Sequence, residues 1–335
     1  MATYTRFSSD DIVVTTEKVF TSTWTNNTNN LTTVYTASAD NPGGANFLTP
    51  TSSGQYYINV YNTVVGSSDS EVQYTIGYGH RAGSGSENFQ ADDSANGYNS
   101  SRAIYSQYRS LVFGDETRDF SFNGTTPDDI IVININRARY KQSLRIGSLN
   151  LKFDNGSNLT DDSVTNSGSA VLTNAGRQYN IVSGSNGIMS GSSLSQTDSG
   201  SYGLFYPDAG FLILNAAASA SLGWDIDRTS DTQAANHATV LDLIDDFEID
   251  SQENISSQFY FVRAKNKEFN YTTNPSFIDA NGNLNFTSMV DNPVSYITTV
   301  GLYNDANELL AVAKLSQPIT KDFTKEALIK VKLDY

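Results

Sequence analysis

Two histidines, no cysteine and a few runs of carboxylates and arginines are what this chain of 335 residues offers for chemistry. His80 stands in Thr75-Ile76-Gly77-Tyr78-Gly79-His80-Arg81-Ala82-Gly83 and His237 lies far along the chain, so a catalytic triad or a histidine metal site would need both, or one with remote partners. The plainer reading is one loop histidine and one on a helix surface. Gly77, Gly79, Gly83 and Gly85 cluster after a strand-like run and invite a phosphate-loop reading. A dinucleotide fingerprint, however, would need glycine where Ala82 stands, residues 84–99 do not read as the required helix, and the Gly-Lys-Ser/Thr of a phosphate loop is missing. A strand end running into a polar loop accounts for these glycines.

Charged residues give two further constellations. Asp242, Asp245, Asp246, Glu248 and Asp250 crowd the end of an expected helix, where negative charge opposes the macrodipole by ~0.3–1 kcal/mol per residue. A cation, a basic residue from another subunit or solvent would compensate, with solvent the default. A glycosidase would need two carboxylates facing across a cleft, which makes a glycan hydrolase the third functional reading. Asp279-Ala280-Asn281-Gly282-Asn283 lacks the spacing of an EF-hand loop and reads as a hairpin turn. Arg137, Arg139 and Lys141 alternate. If the strand beginning near Asp129 continues through Tyr140, they share one face and form a stripe for an acidic partner or a carboxylated glycan. Without cysteine there is no thiol nucleophile, disulfide or Cys-based metal site. No catalytic, cofactor-binding or metal-binding residue is assigned, no cofactor is expected, and the chain does not read as an enzyme.

The elements that would position these residues read as mainly β. Only 17% of the chain is charged and only 7 residues are proline, while 19 Tyr and 17 Phe supply core material, a balance that favours many short strands over helices rich in Ala, Glu and Lys. Two or three β-sandwich-like domains are expected: an N-terminal β domain over 1–153, a polar, acidic middle region over 154–254 and a C-terminal β domain over 255–335. In the first, strands are expected at Asp11–Thr15, Lys18–Thr25, Leu31–Thr36, Gln55–Asn62, Glu71–Tyr78, Asp129–Tyr140 and Ser148–Phe153. A short helix is expected near 101–112, with Ile104, Tyr108 and Leu111 on one face. Within the middle region, residues 154–203 offer only two credible short strands, Ala170–Thr173 and Gln178–Val182, and Gly210–Asn215 returns to a buried apolar run. An amphipathic helix is expected near 231–247, with Val240, Leu243, Ile244 and Phe247 as its apolar stripe. Strands return at Gln258–Ala264, Val294–Tyr303, Glu308–Leu315 and Glu326–Leu333. In the last, Ala327, Ile329, Val331 and Leu333 face one way and Lys330 and Lys332 the other.

Charge is divided unevenly. Lys and Arg against Asp and Glu number 10 to 14 over residues 1–150, 3 to 14 over 151–254 and 8 to 8 over 255–335. An acidic middle repels phosphate backbones, so the partners expected are proteins or glycans and not nucleic acid. No run approaches the ~20 apolar residues of a membrane span, and the start at Met1 lacks the apolar region of a secretory signal.

One segment carries a resemblance. Ile297-Thr298-Thr299-Val300-Gly301-Leu302-Tyr303-Asn304-Asp305-Ala306-Asn307-Glu308-Leu309-Leu310-Ala311-Val312-Ala313-Lys314 resembles the hairpin of collar-type fibre and baseplate proteins of tailed bacteriophages. Asn307 stands where that pattern commonly has glycine. Gly301 is expected to allow close backbone approach, with Leu310 and Val312 packed beneath. Ser101–Arg109 and Tyr202–Pro207 also resemble virion structural proteins of large contractile-tailed phages of marine bacteria. The resemblance implies a structural tail part, in the baseplate or at the fibre attachment, made in the host cytoplasm, located in the virion and forming a homo-oligomer among other tail proteins. The expected assembly interface is Gly301, Leu302, Tyr303, Leu310, Val312, Ile329, Val331 and Leu333, engaged by strand addition. The alternative is an adhesin gripping host glycans through Tyr56, Tyr57 and Tyr61.

Overall fold

The computed structural model describes residues 4–25, 57–62, 68–69, 71–86, 100–165, 170–190, 201–218, 222–223, 226, 243–270 and 275–334. The chain divides into two compact units: unit 1 comprises Met1–Lys18 and Asn254–Tyr335, and unit 2 comprises Val19–Glu253. Strand β1 (Ile12–Ser22) leads out of unit 1. Unit 2 then builds β2 (Tyr57–Tyr61), β3 (Val72–His80), helix α1 (Ser100–Phe113), β4 (Asp129–Ile135), β5 (Ser143–Leu144), β6 (Asn150–Phe153), β7 (Asn158–Asp161), β8 (Val171–Thr173), β9 (Gly176–Ser185), β10 (Ile188–Met189), β11 (Gly203–Tyr206), β12 (Phe211–Asn215) and β13 (Ile244–Glu248). Strand β14 (Asp250–Ala264) leads back, followed by a one-turn helix α2 (Ser288–Asp291), β15 (Ser295–Tyr303), β16 (Leu309–Lys321) and β17 (Ala327–Asp334). The fold is mainly β, and among the described residues no helix is long and apolar enough to cross a membrane.

Unit 2 is organised by one antiparallel sheet in the order β13-β6-β7-β9-β11-β12-β4-β3-β2, with β8 and β10 attached to β9. Its central strands are unbroken apolar runs, Ile130–Ile133 in β4 and Phe211–Leu214 in β12. Such strands must be covered on both faces. On one face the sheet twists until its ends meet: Phe247 of β13 lies 5.2 Å, ring to ring, from Tyr74 of β3. Trp24 wedges between them, 5.0 Å from Phe247, and its indole N–H donates to the Phe247 carbonyl at 2.6 Å. On the other face α1 presses Ile104, Tyr105, Tyr108 and Val112 onto Val132, Leu204, Phe211 and Ile213. The expected helix is therefore present, but Leu111 of the expected stripe points outward and Val112 takes the buried place. Gly79 is the helix's seat, since a Cβ there would stand 2.9 Å from the Tyr105 backbone nitrogen, and the Tyr57 ring lies across Gly77. Two of the glycines that invited a phosphate-loop reading, Gly77 and Gly79, thus serve close packing, while Gly83 and Gly85 take positive φ in the turns that follow.

Three expectations are corrected in this unit. The strand near Asp129 ends at Ile135, because the Asn136 side chain accepts from the Ala138 N–H and turns Arg137–Arg139 into a 3₁₀ helix. Of the expected helix 231–247, residues 231–242 lie outside the described residues, and Ile244–Glu248 is a strand paired with β6. The polar stretch after residue 153 does not stand apart as loops. β7 and β9 continue the main sheet, and Thr160, Asp161, Asp162 and Ser163 are buried. The expected strand Leu31–Thr36 and His237 lie outside the described residues.

Unit 1 is a two-layer sandwich. One layer holds β14 paired with β17 from Ser257↔Asp334 to Ala264↔Ala327, and the other is the β15–β16 hairpin. Ile329 and Val331 on β17 pack with Val300 and Leu302 on β15, flanked by Tyr260, Val262, Ala311 and Ala313. The alternation expected for the last strand holds, with Ala327, Ile329 and Val331 buried while Lys330 and Lys332 face solvent. Lys321, at the end of β16, is fully buried and donates to the Asn266 and Asp322 carbonyls and to Asn270 Oδ1 at 2.8–3.0 Å.

Candidate functional site

Polar and charged groups gather around a concave site where β5, β6 and β13 meet the loops Arg145–Leu149 and Ser185–Ile188. A recess of about 420 Å³ is lined there by Arg145, Ser148, Asn150, Asn186, Glu248 and Asp250. Its polar atoms are spent on one another. Arg145 pairs with Asp250 at 2.9 Å, and Ser148 Oγ accepts from the Asp250 N–H at 3.0 Å while donating to the Arg145 carbonyl. Asn150 Nδ2 donates to Asn186 Oδ1 at 2.9 Å and to Glu248 Oε2 at 3.3 Å, and its Oδ1 accepts from the Asn186 N–H. Asn186 sits at φ 51°, a left-handed conformation that asparagine tolerates. This network fixes loops around the recess and leaves little for a ligand to claim.

The acidic residues are likewise structural. Asp246 pairs with Lys152 at 2.9 Å, and that carboxylate raises the Lys152 pKa above its ordinary value. Asp242 lies outside the described residues. Asp245, Asp246 and Glu248 lie within strand β13, where the register shifts between Ile244 and Asp246. Asp161 accepts from the Gly147 N–H at 2.9 Å and the Ser163 N–H at 3.1 Å, and burial raises its pKa against those bonds. Among the described residues no group of His, Cys, Asp and Glu could hold a metal ion. His80 ends β3, buried, and its Nδ1 accepts from the Ala82 N–H at 3.0 Å.

The arginine stripe is dispersed. With β4 ending at Ile135, Arg137 stacks 4.6 Å from the Tyr140 ring and donates to its carbonyl, while Arg139 pairs with Glu71 at 2.8 Å. Lys141 is exposed at the turn beyond. Of the tyrosines proposed to grip a glycan, Tyr56 lies outside the described residues, and Tyr57 is half-buried with its hydroxyl bonded to Gln107 at 3.0 Å.

The expected assembly residues of unit 1 fall into two sets. Leu302, Ile329 and Val331 are core, and Leu333 packs at the core's margin. Gly301, Tyr303, Leu310 and Val312 lie on the outer face of the hairpin, where Val312 is opposite Gly301. Leu310 is 68% exposed, Val312 60%, Leu309 52% and Tyr303 44%. Leu310 and Val312 therefore do not pack beneath the hairpin as expected; Ala311 and Ala313 do, and small inward residues let the two layers close. Gly301 makes room for side chains, since a Cβ there would stand 2.9 Å from the Tyr303 ring. The turn holds Asn307 at φ 62°, the conformation for which glycine is common at this place. Asn304 organises it, its Oδ1 accepting from the Ala306 and Glu308 N–H groups at 3.0 and 2.8 Å. The signal for the outward pair was available in the alternation of Ala311 and Ala313 with Leu310 and Val312.

Set against known proteins, the chain matches no family model, no curated protein and no solved structure.

Proposed function

We propose that the chain is a structural assembly component that works by protein contacts, of the kind that builds the baseplate or fibre attachment of a tailed-phage virion. The observation that supports this reading is the outer face of the β15–β16 hairpin, where Leu309, Leu310 and Val312 stand exposed beside Tyr303, whose ring meets Tyr4 edge-on at 5.0 Å. Contiguous apolar side chains on a well-formed strand pair are a surface suited to a protein partner. The hairpin is also the segment that resembles phage collar-type proteins, and the mutually bonded polar groups of the unit 2 recess suit a part that transmits geometry more than one that turns over a substrate. Mass spectrometry of purified virions of the encoding phage tests the proposal. Peptides of this chain are expected in the tail fraction. A chain carrying Leu310→Asp and Val312→Asp, both on the exposed face, is expected to fold and to be lost from particles. Absence of the wild-type chain from virions, or variant particles loaded like wild type, overturns the reading.

A further inference from the structure

The second layer of unit 1 has an outer face of different character. Residues that alternate with the core residues Tyr260, Val262, Ile329 and Val331 point the other way, and they set aromatic and basic side chains opposite one another: Phe259↔Lys332, Phe261↔Lys330 and Arg263↔Leu328. The Lys330 ammonium lies 4.0 Å from the centre of the Phe259 ring and 5.9 Å from that of Phe261, with Lys332 5.9 Å from Phe259. Leu328 is 60% exposed beside Arg263, which is also exposed. Carboxylates near this face include Asp334, paired with Lys332 at 3.0 Å, and Asp11, on which Arg263 acts, and the neighbouring strand β1 carries Glu17. Lys330 and Arg263 have no ion pair among the described residues.

This face belongs to the neutral part of a strongly acidic chain. Unit 1 carries 10 Lys and Arg against 11 Asp and Glu, a net −1, whereas unit 2 carries 11 against 25, a net −14. Nearly all of the chain's negative charge is therefore on the unit that lacks the basic face. A polyanionic nucleic acid would meet the repulsion of that whole charge, but an acidic protein surface on a second copy is present in equal number wherever the chain is.

We propose that the Phe259–Arg263 and Leu328–Lys332 face of one copy docks on the acidic unit 2 of a second copy, head to tail. Unlike surfaces joined in this way repeat, so the contact builds a ring or a filament and not a closed pair. Electrostatic steering governs its formation, and the exposed Leu328 with the half-buried rings of Phe259 and Phe261 supplies apolar area at the centre. The inference is independent of the hairpin and of the virion reading.

Sedimentation velocity of the full chain over a concentration series tests it. At about 50 mM salt, species larger than the monomer are expected to grow with concentration. At about 500 mM salt, with screening over only a few ångströms, apparent self-affinity is expected to fall at least tenfold. Lys330→Glu with Lys332→Glu should produce the same loss at low salt. Arg263→Glu, which removes no ring contact, should reproduce it in part and separates docking from any loss of fold. A monomer at every concentration in low salt overturns the proposal, as does assembly indifferent to salt and to charge reversal. Salt-sensitive binding of an acidic polysaccharide by a chain that stays monomeric also overturns it, and assigns the face to a glycan.

Discussion

Replacing Gly79 with alanine should weaken unit 2 through a single methyl group. At this position on β3 a Cβ would stand 2.9 Å from the Tyr105 nitrogen and 3.2 Å from both the Tyr105 Cα and the Ile104 Cγ2. Two of these atoms are backbone of α1, so no side chain can swing aside, and the helix must lift by several tenths of an ångström from Val132 and Phe211. Overpacking of this kind costs about 1–3 kcal/mol. For a unit of this size each kcal/mol lowers the melting temperature by about 2–4 °C, so a cost near 2 kcal/mol corresponds to about 4–8 °C. Differential scanning calorimetry of wild type, Gly79→Ala and Gly77→Ala checks the reasoning, because the alanine at 77 crowds the half-buried Tyr57 ring, which can move, and meets Ile104 Cδ1 at an ordinary 3.5 Å. The unit 2 transition of Gly79→Ala should fall by that amount and that of Gly77→Ala by less. A Gly79→Ala transition within about 1 °C of wild type, or a larger fall for Gly77→Ala, would show that the helix is not seated on the strand as described.

Two further substitutions report on local geometry. Arg177 grips Asp208 through Nη2 at 2.5 Å and Nε at 3.0 Å, and these bonds hold the carboxyl below its ordinary pKa. Asp208→Asn should cost about 1 kcal/mol at neutral pH, a modest sum because the pair is partly screened by solvent. Since the folded pKa is the lower one, the contribution is present above ~4 and lost as pH falls through the folded value, so urea melts of wild type and variant should converge once the pH lies below that folded value. In the hairpin turn, Asn307→Gly should leave unit 1 unchanged or up to ~1 kcal/mol more stable, whereas Asn307→Val should cost about 1–2 kcal/mol. Equal melting of the glycine and valine variants would contradict the left-handed turn.

Strands and the first helix were legible in the sequence because their patterns are local. The β-branched run of β4 and the alternation of β17 state their own burial, and Ile104 and Tyr108 mark the buried face of α1. Where reading failed, a local irregularity imitated another pattern. Ile244 and Phe247 are spaced like residues on one face of a helix, yet both point inward from β13 because the register shifts between Ile244 and Asp246. Arg137 and Arg139 alternate like strand residues, and only the Asn136 side chain, bonding its own backbone, ends the strand first. The polar stretch after residue 153 looked exposed because composition cannot say that Asp161 and Asp162 are spent on the N–H groups of Gly147 and Asn180. The hairpin formed where the sequence placed it, but Leu310 and Val312 were read as inward and point outward, and the alternation of Lys330 and Lys332 in β17 was visible while their pairing with Phe261 and Phe259 of β14 was not.

The order in which the ribosome delivers these strands has its own effect. Unit 2 occupies an uninterrupted stretch, Val19–Glu253, and can bury its core during synthesis while Met1–Lys18 waits for partners that are still unmade. Val300 and Leu302 reach the tunnel exit before Ile329 and Val331, the residues that cover them, and β17 is the last described strand to emerge. Unit 1 closes only then. A nascent chain released early would pair a finished unit 2 with an open apolar hairpin, a state that proteases and chaperones recognise, so a covered unit 1 marks chains that have been translated through Asp334.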